Sequence, residues 1–480
     1  MKILVIDVGT SSTRAAIVDE SARVTHEHNR HVLPDTPAAG LVEFDARVLA
    51  DAALELARAV LAEAGPVDGV GITNQRASTV VWDRATGEPV APALGWQDLR
   101  TVGDCLVLQA DGFRFAPNQS ATKVKHLLDL HDPDRSRDLC VGTVDSWLIW
   151  NLSQGESHVT DLGNAGVTGL VSLGGGDWDD TVLAALGVPR AMLPTIVDSS
   201  GAAATASALP GAPPICGIAG DQQASMIGQG VVAPGPAKIT FGTGGMLDLV
   251  LGERRPTFET RGGGGTFPII AWKRGAQVMW GLEAIMLSAG TNIEWLRDDL
   301  GIIATAAESH DVAQQCETTD GVVYVPALLG LGTPTWDYGA RGTLLGITRG
   351  TGRPQVVRAV LEGVAQRGAD LVDAAEADAG QRVESVRIDG GMSRNPTFVQ
   401  ALADATQRSV EVSPVLEATT LGAGFLAGLH VGMWADWSDL AATWSPAHVV
   451  EPGEPLDRER WARAIERARA WFPELSGLDF

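Results

Sequence analysis

The chain opens on an apolar run, Ile3-Leu4-Val5-Ile6, which stops at Asp7 and gives way to glycine and hydroxyl residues as far as Thr13 before a second apolar run from Ala15 to Val18. That pattern predicts two buried strands joined by a tight polar turn. From Arg47 to Ala64 the apolar positions Val48, Ala52, Leu56, Ala59 and Val60 follow helical spacing and end at Gly65-Pro66, so a helix is expected there, with a strand from Val67 to Thr73 after it. The pattern returns in the second half. Ala237 to Thr240 and Met246 to Leu251 are apolar runs separated by Phe241-Gly242-Thr243-Gly244-Gly245, a second hairpin with a glycine-and-threonine tip.

Arg353-Pro354 begins a long amphipathic stretch, with Val357, Val360, Leu361, Val364 and Leu371 on one face, that ends at Gly380. Val386-Arg387-Ile388 predicts a short strand leading into Asp389-Gly390-Gly391, and Asn395-Pro396 reads as an N-cap followed by a first-turn proline. Near the C-terminus Asp457 is expected to cap a helix that packs through Trp461, Ile465, Ala468 and Phe472. Strands alternating with helices, twice over, predict two α/β domains. Pro234-Gly235-Pro236 is the strongest boundary signal, so the division is placed near residue 230, giving domains 1–230 and 231–480. Arg261 and the run Gly262 to Gly265 read as a flexible surface loop of no assigned role.

Composition narrows the partners. A chain of 480 residues is too long for one core. A formal charge of -23 argues against nucleic acid, so any anion must be held locally. No apolar stretch is long enough for a bilayer, and the first strand reaches Asp7 too soon for a signal peptide, so a cytoplasmic location and no membrane partner are expected. Cys105, Cys140, Cys216 and Cys316 lie far apart and read as small buried hydrophobes rather than a zinc site or disulfide scaffold.

Glycine-rich hairpins that face each other across a cleft can surround a polyphosphate with backbone N–H groups, because glycine lets the ligand approach closely. Taken alone, Asp7-Val8-Gly9-Thr10-Ser11-Ser12-Thr13 fits a plain turn equally well. Asp221, after the apolar Ile215 to Ala219, stands at the start of an expected helix and reads either as its N-cap or as a rigidly held carboxylate suited to a general base.

The ordered motifs along the chain resemble the FGGY family of carbohydrate kinases nearly end to end. They are Asp7 to Arg14, Gly71-Ile72-Thr73-Asn74-Gln75-Arg76, Trp96-Gln97-Asp98-Leu99-Arg100, Ser120-Ala121-Thr122-Lys123, Gly142 to Trp147, Gly220-Asp221-Gln222-Gln223, Gly242-Thr243-Gly244, Trp336 to Gly342, Asp389-Gly390-Gly391 and Thr419 to Ala423. The resemblance implies two actin-like (ribonuclease H-like) ATPase domains with an interdomain cleft, and phosphoryl transfer from ATP, with Mg2+, to a hydroxyl of a small sugar or polyol. It further implies that Gly9, Thr10, Ser11, Ser12 and Arg14 lie beside the transferred phosphate, with Asp7 placing Mg2+ through water, and that Asp221 is the catalytic base. Gly242 and Thr243 would meet the nucleotide phosphates, and Gly391 and Asn395 would border the adenosine. Arg76, Trp96, Asp221 and Gln222 would face the acceptor, while Trp82 is given to the core. By the same analogy the chain is expected to form a homo-oligomer, a dimer or tetramer.

Family members that phosphorylate glycerol usually carry a Glu where this chain has Ala77 and a Tyr-Phe pair where it has Asn118-Gln119. Losing such a carboxylate contact costs on the order of 1.5 to 3 kcal/mol. Glycerol is the acceptor favoured by the other motifs. The alternative is a longer polyol or ketose such as erythritol, a pentitol or xylulose. A non-catalytic actin-superfamily switch would need no acceptor motifs, and a sugar-sensing regulator would be expected to carry a DNA-binding appendage or basic patch, which the sequence does not show.

Overall fold

In the structure, a computed structural model, residues 1–478 are described apart from Leu173, Gly175 and Leu416. The first sheet contains β1 (Lys2–Val8), β2 (Ser12–Asp19), β3 (Val24–His31), β4 (Gly69–Asn74), β5 (Ser200–Thr205) and β6 (Pro214–Gly220), in the order β5-β6-β4-β1-β2-β3. Three antiparallel strands, β1 to β3, continue into β4 and β6, which run parallel to β1. The second sheet contains β7 (Ala237–Phe241), β8 (Gly245–Gly252), β9 (Phe267–Arg274), β10 (Gln277–Met286), β11 (Ser385–Asp389), β12 (Ser409–Val412) and β13 (His448–Val450), in the order β9-β10-β8-β7-β11-β12-β13. Its antiparallel β7, β8 and β10 and its parallel β11 and β12 repeat the plan of the first. The two expected hairpins are β1–β2 and β7–β8.

Helix α1 (Ala46–Ala64) is capped by Asp45, whose carboxylate accepts from the N–H groups of Arg47 and Val48, and it closes at Gly65 with φ 78°. Ala52, Leu56 and Val60 of the expected stripe are buried, with Leu49 and Ala53 beside them, whereas Val48 lies in the first turn facing water, 52% exposed. Residues 75–199 lie between β4 and β5 and carry a core of their own, including Val81, Leu94, Phe115, Val124, Leu128 and Trp178. Trp82 is fully buried, as expected.

The five helices that matter further are α2 (Asp221–Gly228), α3 (Arg353–Ala379), α4 (Pro396–Thr406), α5 (Ala418–Val431) and α6 (Arg458–Ala468). The predicted stripe of α3 is buried, and Asn395 caps α4 by accepting from Phe398 N–H at 3.1 Å. Helix α5 belongs to the second half in sequence but packs on the first sheet: Phe425, Leu426 and Leu429 share one core with Ile3, Val5 and Val18. That approach is made backbone to backbone. A Cβ at Gly71 would lie 2.4 Å from Ala423 O, one at Gly228 1.9 Å from Ala418 O, and one at Gly422 1.8 Å from Ala224 O.

Three other expectations are corrected. Helix α6 is capped by Asp457 but ends at Ala468, so Phe472 lies beyond it and is half-exposed. The Gly262 to Gly265 run is pinned rather than free, because Asp378 of α3 accepts from Gly264 N–H at 2.7 Å and from the Thr266 hydroxyl at 2.7 Å, and the Trp336 indole donates to Gly265 O at 2.7 Å. Cys105, Cys140 and Cys216 are buried, whereas Cys316 is partly open.

Candidate active site

Parallel strands end together, and side chains placed just past their carboxyl ends converge. Here β1, β4 and β6 pair in register, Asp7 beside Thr73 and Gly220 beside Asn74, so Asp7, Gln75-Arg76 and Asp221 emerge at one edge of the first sheet. Gly220 is the N-cap of α2 and Asp221 its first residue, so the reading of Asp221 as the cap is corrected. The glycine has a steric reason: a Cβ there would sit 2.6 Å from Arg76 Cγ, and Arg76 must cross Gly220 to reach Asp221.

Arg76 Nε lies 3.5 Å from Asp221 Oδ1, and its Nη2 donates to Glu283 Oε2 at 2.6 Å. Burial opposes its charge, but Glu283, Asp221 and Asp248 outweigh that and hold the guanidinium firmly protonated. Asp221 is enclosed on most sides yet keeps 30% of its side-chain surface open. Burial raises its pKa above the usual carboxylate range and Asp7 adds to the effect, while Arg76, the Gln222 N–H and Lys238 oppose it. Asp7 is raised for the same reason, against hydrogen bonds from the hydroxyls of Thr419 at 2.8 Å and Thr420 at 3.3 Å, both to Oδ2. These threonines belong to the first turn of α5, so the C-terminal half supplies part of the Asp7 environment.

The turn after β1 is braced from within. Gly9 N–H donates to Ser12 O at 2.9 Å, the Gln75 amide donates to Gly9 O at 3.2 Å, and the Trp96 indole donates to the Thr10 hydroxyl at 3.1 Å. Trp96 is 37% exposed and its backbone N–H donates to Ser78 Oγ at 3.0 Å, so it borders the same opening as Arg76 and Thr10. Ser11 in the turn is exposed and Ser12, the first residue of β2, is half-buried, and Arg14 pairs across to Glu27 at 3.4 Å. Ala77 is buried with φ 60°, and Asn118 is exposed. Lys123 is wholly buried, its ammonium donating to the carbonyls of Trp96, Pro117 and Gln119 and so tying together the two loops that hold Trp96 and Asn118. Gln222 is drawn away toward the second sheet, its amide oxygen accepting from Lys238 at 2.9 Å.

On the other side, the β7–β8 turn is held by Gly290 N–H donating to Gly242 O and Ala289 N–H donating to Thr243 O, both at 2.8 Å. Gly390, at φ 86°, lets β11 end against Phe241, whose carbonyl would be 2.4 Å from a Cβ. Gly242 and Gly391 face open space. Asn395 is committed inside the protein, with Oδ1 capping α4 and Nδ2 donating to Ser309 Oγ at 2.8 Å. Asp389 Oδ2 accepts from Gln229 at 2.7 Å, which joins the end of β11 to the residue following α2.

Sequence reasoning missed Lys238, Asp248 and Glu283, and it counted Thr419 and Thr420 in a motif without giving them a role. The first three had a signal, since each is a single charge inside an otherwise apolar strand.

Two halves on one plan, each presenting a glycine-and-hydroxyl hairpin to their junction beside buried carboxylates, define an actin-like phosphotransferase. Models of the N-terminal and C-terminal domains of the FGGY family of carbohydrate kinases match residues 2–228 and 237–431. The chain is 41% identical to a glycerol kinase of Aromatoleum aromaticum and 40% identical to glycerol kinase 2 of Thermotoga maritima, in each case over 98% of this chain and 99% of the relative. The crystal structure of Plasmodium falciparum glycerol kinase with ADP superposes with a TM-score of 0.91 at 29% identity, covering 97% of this chain and 98% of that one. This chain belongs to the FGGY family of carbohydrate kinases, and it is a phosphotransferase with an alcohol group as acceptor.

Proposed function

We propose that the enzyme transfers the γ-phosphoryl group of ATP to glycerol, giving glycerol 3-phosphate and ADP, with Asp221 as the general base. The observation that carries this reading is the half-buried Asp221–Arg76 pair beside Asp7 at the converging strand ends, in a chain alike over nearly its whole length to proteins named glycerol kinase. A base for an alcohol needs a rigid carboxylate with raised proton affinity, and burial provides both. The acceptor hydroxyl donates to Asp221, while Arg76 and Trp96 orient the carbon chain, with Gln222 beside them. As the acceptor oxygen bonds to phosphorus, its proton passes to Asp221 and the bond to the ADP oxygen breaks.

Phosphoryl transfer depends mainly on positioning and charge neutralisation. The amides and hydroxyls of Gly9, Thr10, Ser11 and Ser12, with Arg14, receive the transferred group. Gly242 and Thr243 meet the nucleotide phosphates, and Gly391 with the end of α4 at Asn395 borders the adenosine. Among the described residues no three His, Cys, Asp or Glu side chains gather as a metal cage. Mg2+ is commonly held by one or two carboxylates, waters and substrate phosphates, and Asp7 at the end of β1 would supply the carboxylate here. The metal would neutralise charge on the transferring phosphates. The domain division near residue 230, a dimer or tetramer and a cytoplasmic location complete the reading on family analogy.

Asp221→Asn tests it. The variant should lose phosphorylation while ADP binding stays near that of the parent, measured by coupled ADP release across glycerol, tetritols, pentitols and ketopentoses. Turnover close to the parent's would remove Asp221 from the role of base, and ADP release indifferent to the panel would remove the kinase reading.

A further inference from the structure

Three neighbouring strands of the second sheet each carry a charge in an apolar setting: Lys238 in β7, Asp248 in β8 and Glu283 in β10. The register sets Lys238 opposite Asp248 and Asp248 opposite Glu283, and residues directly opposite one another share a face, so the three form one row. Lys238 and Asp248 have no exposed surface, and Glu283 has 6%. The inner pair is joined by Lys238 Nζ donating to Asp248 Oδ2 at 3.1 Å. Both ends of the row leave the sheet for residues of the first half. Glu283 takes Nη2 of Arg76, whose Nε approaches Asp221, and Lys238 takes Oε1 of Gln222, the residue after Asp221.

A buried ionic row is a poor way to stabilise a sheet, because removing each ion from water costs several kcal/mol and apolar residues of like volume often serve as well. It does fix direction. Arg76 has two carboxylates within reach, Glu283 and Asp221, and the closer contact is to Glu283. Two polar atoms of this cluster, Arg76 Nη1 and Asp248 Oδ1, are buried without a partner, so hydrogen-bonding capacity is left over within it.

We propose that Lys238, Asp248 and Glu283 are a positioning ladder, by which the second half of the chain draws Arg76 and Gln222 toward itself, limits Arg76 to its 3.5 Å approach to Asp221 and keeps the base free for the acceptor. This rests on the reading of Asp221 as base and Arg76 as acceptor contact. With Glu283 neutral, the Arg76 guanidinium loses its outer partner and closes on Asp221, pairing the carboxylate and lowering its proton affinity. The charged groups acting on Asp221 are Arg76, Asp7 and Lys238, and of these only Arg76 is released.

The test is Glu283→Gln, with Glu283→Asp as the conservative variant. Glu283→Gln should lower kcat/KM for the acceptor at least thirtyfold, shift the acid limb of its pH profile to lower pH, and leave the dissociation constant for ADP within twofold. Glu283→Asp should recover a substantial part of the activity. A kcat/KM within twofold of the parent, an unshifted acid limb, or a parallel loss of ADP binding would each overturn the proposal. Should Glu283→Gln fail to fold, the double variant Lys238→Met with Asp248→Leu decides. This apolar pair should fold and raise the acceptor KM at least fivefold by releasing Gln222, and an unchanged KM would overturn the ladder. An inactive Asp221→Asn beside a fully active Glu283→Gln would sink the ladder alone, whereas an active Asp221→Asn would sink the reading of the base.

Discussion

Ala77 follows Arg76 with its backbone in the left-handed region, at φ 60°, and its carbonyl accepts from the hydroxyls of Ser120 at 2.9 Å and Thr79 at 3.2 Å. An L-residue there pays a conformational cost of roughly 1 kcal/mol, but alanine and glutamate pay it alike. Glutamate can therefore be introduced without a further backbone penalty, and it would stand beside the Arg76 charge. We predict that Ala77→Glu lowers the KM for glycerol relative to a longer polyol, changing the ratio of kcat/KM values about tenfold, as expected for about 1 to 3 kcal/mol of discrimination. The measurement is kcat/KM for glycerol and for the best longer polyol in parent and variant. If glycerol is already the best acceptor of the parent and the substitution harms it, another residue has taken over the role of the missing carboxylate. Lys123 bears on the same pocket from below. Burial pushes its ammonium down to about 7, with Asp98 opposing, while three carbonyls from two loops converge on it.

At the scale of elements, the hairpins and several helix ends were legible because local chemistry sets them: apolar runs cut by glycine and hydroxyl residues, Asn395 and Asp457 before their helices, Gly65 and Gly380 after theirs. The convergence of Asp7, Arg76 and Asp221 followed from three parallel strands ending in register. What sequence patterns could not supply was partner choice. Helix α5 is apolar almost all round, so its pattern names no sheet, and Asp378 looks like an ordinary exposed helical residue until the glycine run is seen bound to it. A lone charge in an apolar strand likewise announces burial without naming its counterion. The crossing of α2 and α5 gives a direct test, because Gly422 packs against backbone that cannot rotate away. Gly422→Ala should lower unfolding free energy by about 3 kcal/mol or more, at the upper end of overpacking costs. Gly103→Ala, in a helix with nothing within 4 Å of the added carbon, should instead be neutral or raise it by roughly 0.5 to 1 kcal/mol. Thermal or denaturant melts of the two variants distinguish the cases, and a Gly422→Ala melt equal to the parent's would refute the close crossing.

At the scale of the whole molecule, the two halves are joined by more than a shared cleft. Thr419 and Thr420 bond to Asp7, Asp389 holds Gln229, and the Lys238–Glu283 row reaches Gln222 and Arg76. Most of all, α5 covers one face of the first sheet, where Ile3, Val5 and Val18 meet Phe425 and Leu426. Read as an order of events on the ribosome, this means that the strands made first must wait for almost the last part of the chain. Until residue 431 has left the exit tunnel, the first sheet carries an uncovered apolar face, the kind of surface that chaperones bind and that drives aggregation. Residues 1–230 produced alone should accordingly collect in the insoluble fraction, and supplying residues 231–480 from a second message should return them to solution. A soluble, cooperatively melting 1–230 fragment would show that the sheet completes itself without α5, and that synthesis has no such pause to survive.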